Sequence, residues 1–223
     1  MILNIEKKES KKNNRLKSKK NNFIFNHLYD NAKEYLIVLI LFLIGIIVGI
    51  VFINNISNEQ KVELSEYITD FADVLRQNKQ IQLNNLLMES TIKNLIMAVS
   101  FWFIGCTVIG LPILYGMIGV RGFFLGYSMA VIVGVFGTLK GALFCISTLL
   151  PQNILAIPCI LALAVSGIKI SKSIFKDKRK ENIKVEIYRH TFFCLVMITV
   201  LVLSSFVEVY LSTNLIKFFI TFI

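Results

Sequence analysis

From Leu36 to Ile53 the chain runs through 18 consecutive apolar residues. A helix needs about 20 such residues to cross the ~30 Å hydrocarbon layer of a membrane, and a helix is the form in which a single segment pairs all its own backbone groups. Four more stretches carry no charge: Leu95 to Val120, Gly122 to Leu139, Gly141 to Ile168 and Thr191 to Val207. The pattern predicts an all-α, polytopic membrane protein with about five transmembrane helices, near 36–53, 95–120, 122–139, 141–168 and 191–208. A mean hydropathy of +0.68, with 17% charged residues, excludes a soluble domain of this length. The first run follows 35 mostly polar residues and exceeds the apolar core of a signal peptide, so it is expected to stay as an anchor.

Charge placement orients these crossings. Residues 1–35 carry nine Lys or Arg against four acids, and residues 169–189 carry eight against three, so both segments are expected in the cytoplasm. Residues 54–94 carry four basic and six acidic side chains and belong outside. Five crossings then put the N-terminus inside and the C-terminus outside. This bias accounts for the formal net charge of +10 and leaves no surplus that calls for nucleic acid. Residues 1–22, rich in Lys, Asn and Ser, lack the apolar material for a core and read as a disordered basic tail. The tail 1–35 is expected to lie on membrane lipids, with recruitment of a cytoplasmic partner as the alternative.

Backbone irregularity is concentrated in one region. All three prolines, Pro112, Pro151 and Pro158, and nine of the twelve glycines lie between Gly105 and Pro158. Gly110, Pro112, Gly122, Gly126, Pro151, Gln152, Asn153 and Pro158 are therefore the expected structural core. Proline removes a helical hydrogen bond at a cost of about 3 kcal/mol, which predicts a fourth segment broken near Pro151-Gln152-Asn153 into two half-helices. The break reads either as a kink capped by its own amides or as a re-entrant feature lining a polar cavity. Arg121 is expected to mark a turn on the cytoplasmic side, because burying it in hydrocarbon is costly, with an internal ion pair as the other reading. Lys140 marks the opposite turn.

Gly45 and Gly49 have the spacing that lets helix backbones approach closely, within the chain or between copies in a homo-oligomer. In the external segment 54–94, Ser57-Asn58-Glu59-Gln60 forms a capping-box pattern, and Leu64, Tyr67, Ile68, Phe71 and Leu75 recur at helical spacing. An amphipathic helix follows, either folded back on the membrane and bundle or presenting Tyr67, Ile68 and Phe71 to an external partner. A second stretch with Ile81, Leu83, Leu86 and Leu87 continues toward the next crossing. Glu208 reads as an interfacial acid, or as one paired with Lys140 or a partner. Cys106, Cys145, Cys159 and Cys194 fall in apolar runs and read as small buried side chains. His27 and His190 lie near helix ends with no metal-ligand spacing around them. No catalytic motif is recognisable, so neither an enzyme nor a cofactor is expected.

The order Asn54-Asn55-Ile56-Ser57, Gln60-Lys61, Gly110-Leu111-Pro112, Gly122-Phe123-Phe124-Leu125-Gly126, Leu150-Pro151-Gln152-Asn153-Ile154, Pro158 and Glu208-Val209-Tyr210 resembles the stage II sporulation protein M family. That resemblance implies a non-enzymatic membrane scaffold of the engulfment machinery in endospore formation. It would act at the septal membrane of the mother cell and localise two peptidoglycan hydrolases, an amidase/endopeptidase and a lytic transglycosylase. A subunit of a transporter or channel that uses the Pro151–Asn153 break is the alternative.

Overall fold

The computed structural model describes residues 31–76, 83–107, 109–176, 180–212 and 214. The basic tail up to residue 30, His27 and Ile81 lie outside the described residues, as do the side chains of Phe71 and Leu75. The elements are α1 (Ala32–Asn55), α2 (Asn58–Arg76), α3 (Leu83–Gly105), α4 (Gly110–Phe136), α5 (Thr138–Lys176), α6 (Lys180–Phe206) and a wide π-helical turn, Val207–Ser212. Among the described residues every element is helical, and five stretches are long and apolar enough to cross a membrane. The protein is a multi-pass membrane protein.

α5 is the hub. In its spanning part, Pro151–Phe175, 72% of the apolar window is buried, against 17–28% in the other four spans. Ile160, Leu163, Ala164, Val165 and Ile168 of α5 meet Val38 and Phe42 of α1, Ala98 and Phe101 of α3, Leu114 and Ile118 of α4, and Cys194 and Leu201 of α6. The outward faces of the other helices carry exposed Leu, Ile, Val and Phe, as lipid contact requires.

α1 and α4 are joined through glycine. A Cβ on Gly45 would strike the carbonyl of Gly119, and one on Gly49 would lie 2.7 Å from the backbone nitrogen of Tyr127. From the other side, Gly122 abuts the carbonyl of Phe42, and Gly126 lies against Ile46, where a Cβ would be 2.8 Å from its Cα. The Gly45–Gly49 pair thus serves intrachain packing. Phe52 then closes over Phe123, with ring centroids 5.5 Å apart.

Several boundaries differ from the sequence expectation. The uncharged run 95–120 is not one crossing, because the chain turns at Cys106–Ile109 between α3 and α4. Thr107 Oγ1 donates to the Ile104 carbonyl at 2.7 Å, and Ser171 Oγ donates to the Thr107 carbonyl at 2.9 Å, which fixes the turn. Arg121 consequently sits inside α4, eleven residues from its start, and does not mark a turn. α3 begins at Leu83, so residues 83–94 belong to a membrane helix; its charges Glu89 and Lys93 pair at 2.7 Å. The fourth segment is one continuous helix of 39 residues with Pro151 and Pro158 inside it. Two side-chain donors also reach carbonyls of this stretch: Asn153 Nδ2 the Leu149 carbonyl at 2.7 Å and Ser204 Oγ the Gln152 carbonyl at 3.1 Å. The loop expected over 169–190 is mostly helical, since α5 runs to Lys176 and α6 starts at Lys180.

The two ends of the bundle are distinguishable. At one, Lys172 Nζ pairs with Glu34 at 3.2 Å beside the Cys106–Ile109 turn. At the other, Gly137, with φ +80°, reverses the chain between α4 and α5, and α2 rests there through Ile68, which packs against the cluster of Ile132, Phe144 and Cys145.

Gly126→Ala should lower stability in detergent by about 1–3 kcal/mol, because the new methyl meets backbone that cannot move aside. Gly134→Ala, where a Cβ meets open space, should instead gain about 0.5–1 kcal/mol. Thermal unfolding of the two variants checks the contrast; equal shifts would contradict the packing described.

Candidate functional site

Two regions carry polar or exposed groups of the kind that serve function. The first is α2. Ser57 and Gln60 form the capping box, with Gln60 N donating to Ser57 Oγ at 3.4 Å and Ser57 N to Gln60 Oε1 at 3.3 Å, so the helix starts where the sequence placed it. Its neighbours at i+3, i+4 and i+7, Glu63, Leu64 and Tyr67, line one wall of a groove of about 370 Å³, whose other wall is Phe52, Ile56 and Tyr127. The expected stripe is therefore divided. Ile68 is packed on the hairpin of α4 and α5, whereas Tyr67 is 73% exposed at the groove rim. Glu63, itself exposed, also borders the groove.

The second region is a polar layer inside the bundle toward the α2 end. Asn94 Nδ2 donates to Ser205 Oγ at 2.8 Å, and both residues are buried. Ser204, fully buried, holds the Gln152 carbonyl from α6. Four residues beyond Ser204, in the π-helical turn, Glu208 accepts a hydrogen bond from Ser90 Oγ. Arg121 of α4 and Lys93 of α3 attract Glu208, and Glu89 repels it. Glu208 is thus half-buried and partnered within the chain, and its charged neighbours do not include Lys140. π-helical turns are rare and cluster at functional positions, and the one carboxylate of this turn is Glu208.

The remaining predicted core residues sort by face. Gly110 is buried against the Ile104 carbonyl, and Gly122 and Gly126 against α1. Pro151 and Gln152 are half-buried and Asn153 is 8% exposed, whereas Pro112 and Pro158 lie on exposed faces and contribute to no core. The structure brings Gln152, Asn153 and Glu208 into one layer and leaves Tyr67 and Ile68 on a different face, over the α4–α5 hairpin.

Sequence reasoning missed a third cluster, at the Glu34–Lys172 end. His190 is not a helix-end residue but is 2% exposed, with Nδ1 2.8 Å from Ser166 Oγ and Nε2 3.6 Å from Cys194 Sγ. Its Nε2 would lie 3.2 Å from a Cβ on Gly105, where α3 and α5 touch through Gly105 and Gly167. Trp102 Nε1 donates to Thr191 Oγ1 at 3.0 Å beside it. With both ring nitrogens partnered, His190 ties α3, α5 and α6 together rather than offering a free base. Cys145, Cys159 and Cys194 are buried as expected. Cys106, in the turn after α3, is half-buried, and burial pushes its thiol up, away from nucleophilic thiolate. Among the described residues no group of His, Cys, Asp and Glu could hold a metal ion.

The signals for the missed groups were periodic. Ser90 and Asn94 stand four apart, as do Ser204 and Glu208, so each pair shares a helix face.

The chain matches the family model described as stage II sporulation protein M over residues 38–213. It is 27% identical over 191 residues to an uncharacterized protein of Methanocaldococcus jannaschii, an alignment covering 83% of this chain and 97% of that one. No solved structure matches it.

His190→Ala should cost about 2–4 kcal/mol of stability, since it opens a cavity and removes the partner of buried Ser166. Ser166→Ala should cost about 1 kcal/mol, and the double variant should lose less than the sum of the two single losses. Thermal unfolding of the two single variants and the double variant measures this; full additivity would mean that the two side chains act separately.

Proposed function

Because the chain belongs to the stage II sporulation protein M family, we propose that it is a non-enzymatic membrane scaffold of the engulfment machinery in endospore formation, holding peptidoglycan hydrolases at the septum. Family membership supports a sporulation-related membrane protein, and neither the family nor the relative gives a sign of catalytic activity. The partners of this reading are a peptidoglycan amidase/endopeptidase and a lytic transglycosylase. Orientation is part of the proposal: the N-terminus inside and the α2 end outside, facing the wall, in keeping with the basic segments at 1–35 and 169–189.

The observation that carries the reading is the division of labour on α2. Ile68 fastens the helix to the bundle, while Tyr67, 73% exposed, stands at the rim of the groove above Phe52 and Tyr127. A large aromatic held out by a rigid support is the kind of side chain that dominates recognition, because little conformational entropy is lost when a partner covers it. Tyr67→Ala should leave insertion and abundance unchanged and weaken co-purification of the wall hydrolase by about 2 kcal/mol, roughly 30-fold. Ile68→Ala should lower abundance instead. Undiminished co-purification with Tyr67→Ala would remove α2 from the docking site.

The orientation has its own check. In intact cells an impermeant thiol reagent should label a cysteine introduced at Thr69 and spare one at Lys184, both exposed positions; the reverse pattern would invert the topology.

A second reading, a subunit of a transporter or channel, draws on the polar layer around Asn153 and Glu208. Flux through liposomes that is abolished by Asn153→Ala would favour it over the scaffold.

A further inference from the structure

α4 and α5 run antiparallel from Gly137, and their register is fixed by two contacts. A Cβ on Gly141 would lie 2.6 Å from the Val133 Cα, and Cys145 Sγ is 3.8 Å from the Met129 carbonyl. Continued along the pair, the same register places Arg121 level with Asn153. Two unmet hydrogen-bonding demands thus share one level of the bundle. Asn153 Nδ2 is used on the Leu149 carbonyl, and its Oδ1, in a residue 8% exposed, has no donor among the described residues. Arg121 brings five N–H donors and makes no hydrogen bond to a described residue; its charged partner is Glu208.

Leaving such groups unpaired in a low-dielectric interior is costly, and one water can serve both, donating to Oδ1 and accepting from the guanidinium. Polar side chains extend this level toward the α2 end: Ser204 and Gln152, Asn94 and Ser205, then Glu208 and Ser90, and finally the exposed pair Glu89 and Lys93. The two inner charges are of opposite sign, so the layer has no net charge with which to hold an ion. Water is the ligand it suits.

We propose that Arg121, Asn153 and Glu208 enclose an internal water-binding site within the membrane-spanning bundle, reached from the Glu89–Lys93 surface past Ser90. This goes beyond the scaffold reading and does not depend on any partner. The site lets the bundle carry an arginine at a depth where apolar packing would exclude it.

The test uses the full chain in lipid nanodiscs, with Asn153→Cys and, separately, Ser205→Cys. Each is treated with hydroxyethyl methanethiosulfonate, a small neutral water-soluble thiol reagent, and modification at each site is read by mass spectrometry. Cys159 and Cys194, 6% and 2% exposed in the apolar core, are dry references within the same molecules. Since thiolate forms only where water reaches, the introduced thiols should react at least about tenfold faster than those references. Combining Arg121→Met with Glu208→Gln should bring them down to the reference rate. Introduced thiols as slow as Cys159 at both positions would overturn the proposal. Fast reaction that survives loss of both charges would overturn the assignment of Arg121 and Glu208 as the groups that hold the water. A misfolded variant betrays itself by reactive Cys159 and Cys194. Ser205→Cys, which exchanges one atom, then decides the matter.

Discussion

The rest of the bundle depends on the contact between the backbones of α1 and α4. Within lipid no hydrophobic force presses helices together, so association rests on how closely they approach and how many dispersion contacts follow. Gly45 and Gly49 on one side, and Gly122 and Gly126 on the other, bring carbonyl and Cα atoms to distances that any side chain would forbid. α1 makes this contact with one narrow stripe and leaves its remaining faces to lipid. Once α4 is seated, α5 can pack into the space framed by α3, α4 and α6 and bury most of its spanning part.

Polar bonds complete what packing begins, and they are sited at the two ends. His190, Ser166 and Trp102 join α3, α5 and α6 near the Glu34–Lys172 pair, while Asn94, Ser204, Ser205 and Glu208 join the same three helices toward α2. Between them the core is apolar, mostly Leu, Ile, Val and Ala with Phe and Cys. Apolar packing is tolerant of sliding, whereas a hydrogen bond at each end is not. This arrangement sets the axial register of α5 against its neighbours.

Fold class and the number of crossings were legible because an 18-residue apolar run has one use in water. The helix α2 and its start were legible from Ser57 and Gln60, whose capping bonds are local. Boundaries inside the run 95–120 were not, since neither charge nor proline marks the turn at Cys106–Ile109, and what holds it is Ser171, more than sixty residues away. The same blindness put Arg121 first at a turn, with an internal ion pair as the other reading: its counter-charge Glu208 is remote in sequence, so the offset to its burial could not be read. Prolines misled in the opposite sense. Pro151 and Pro158 look like breaks, yet the helix runs through both, in the span most enclosed by its neighbours, with Pro158 on an exposed face. Of the candidate site, the amides and Glu208 were legible, and the serines that join them were not.

The length of α5 has a further consequence. Thirty-nine residues make a rod of about 58 Å, close to twice the thickness of a hydrocarbon layer. Tilted by 40°, the steep end of what membrane helices adopt, such a rod still rises about 44 Å, so a turn or more at its ends must emerge into the headgroups or beyond. The portion that precedes Pro151 is paired with the end of α4 and bears α2 on Phe144 and its neighbours. The membrane therefore does not set the height at which Tyr67 stands; the helical hairpin does. It acts as a fixed pedestal whose reach above the lipid can be lengthened or shortened by whole helical turns while the packing below is left intact.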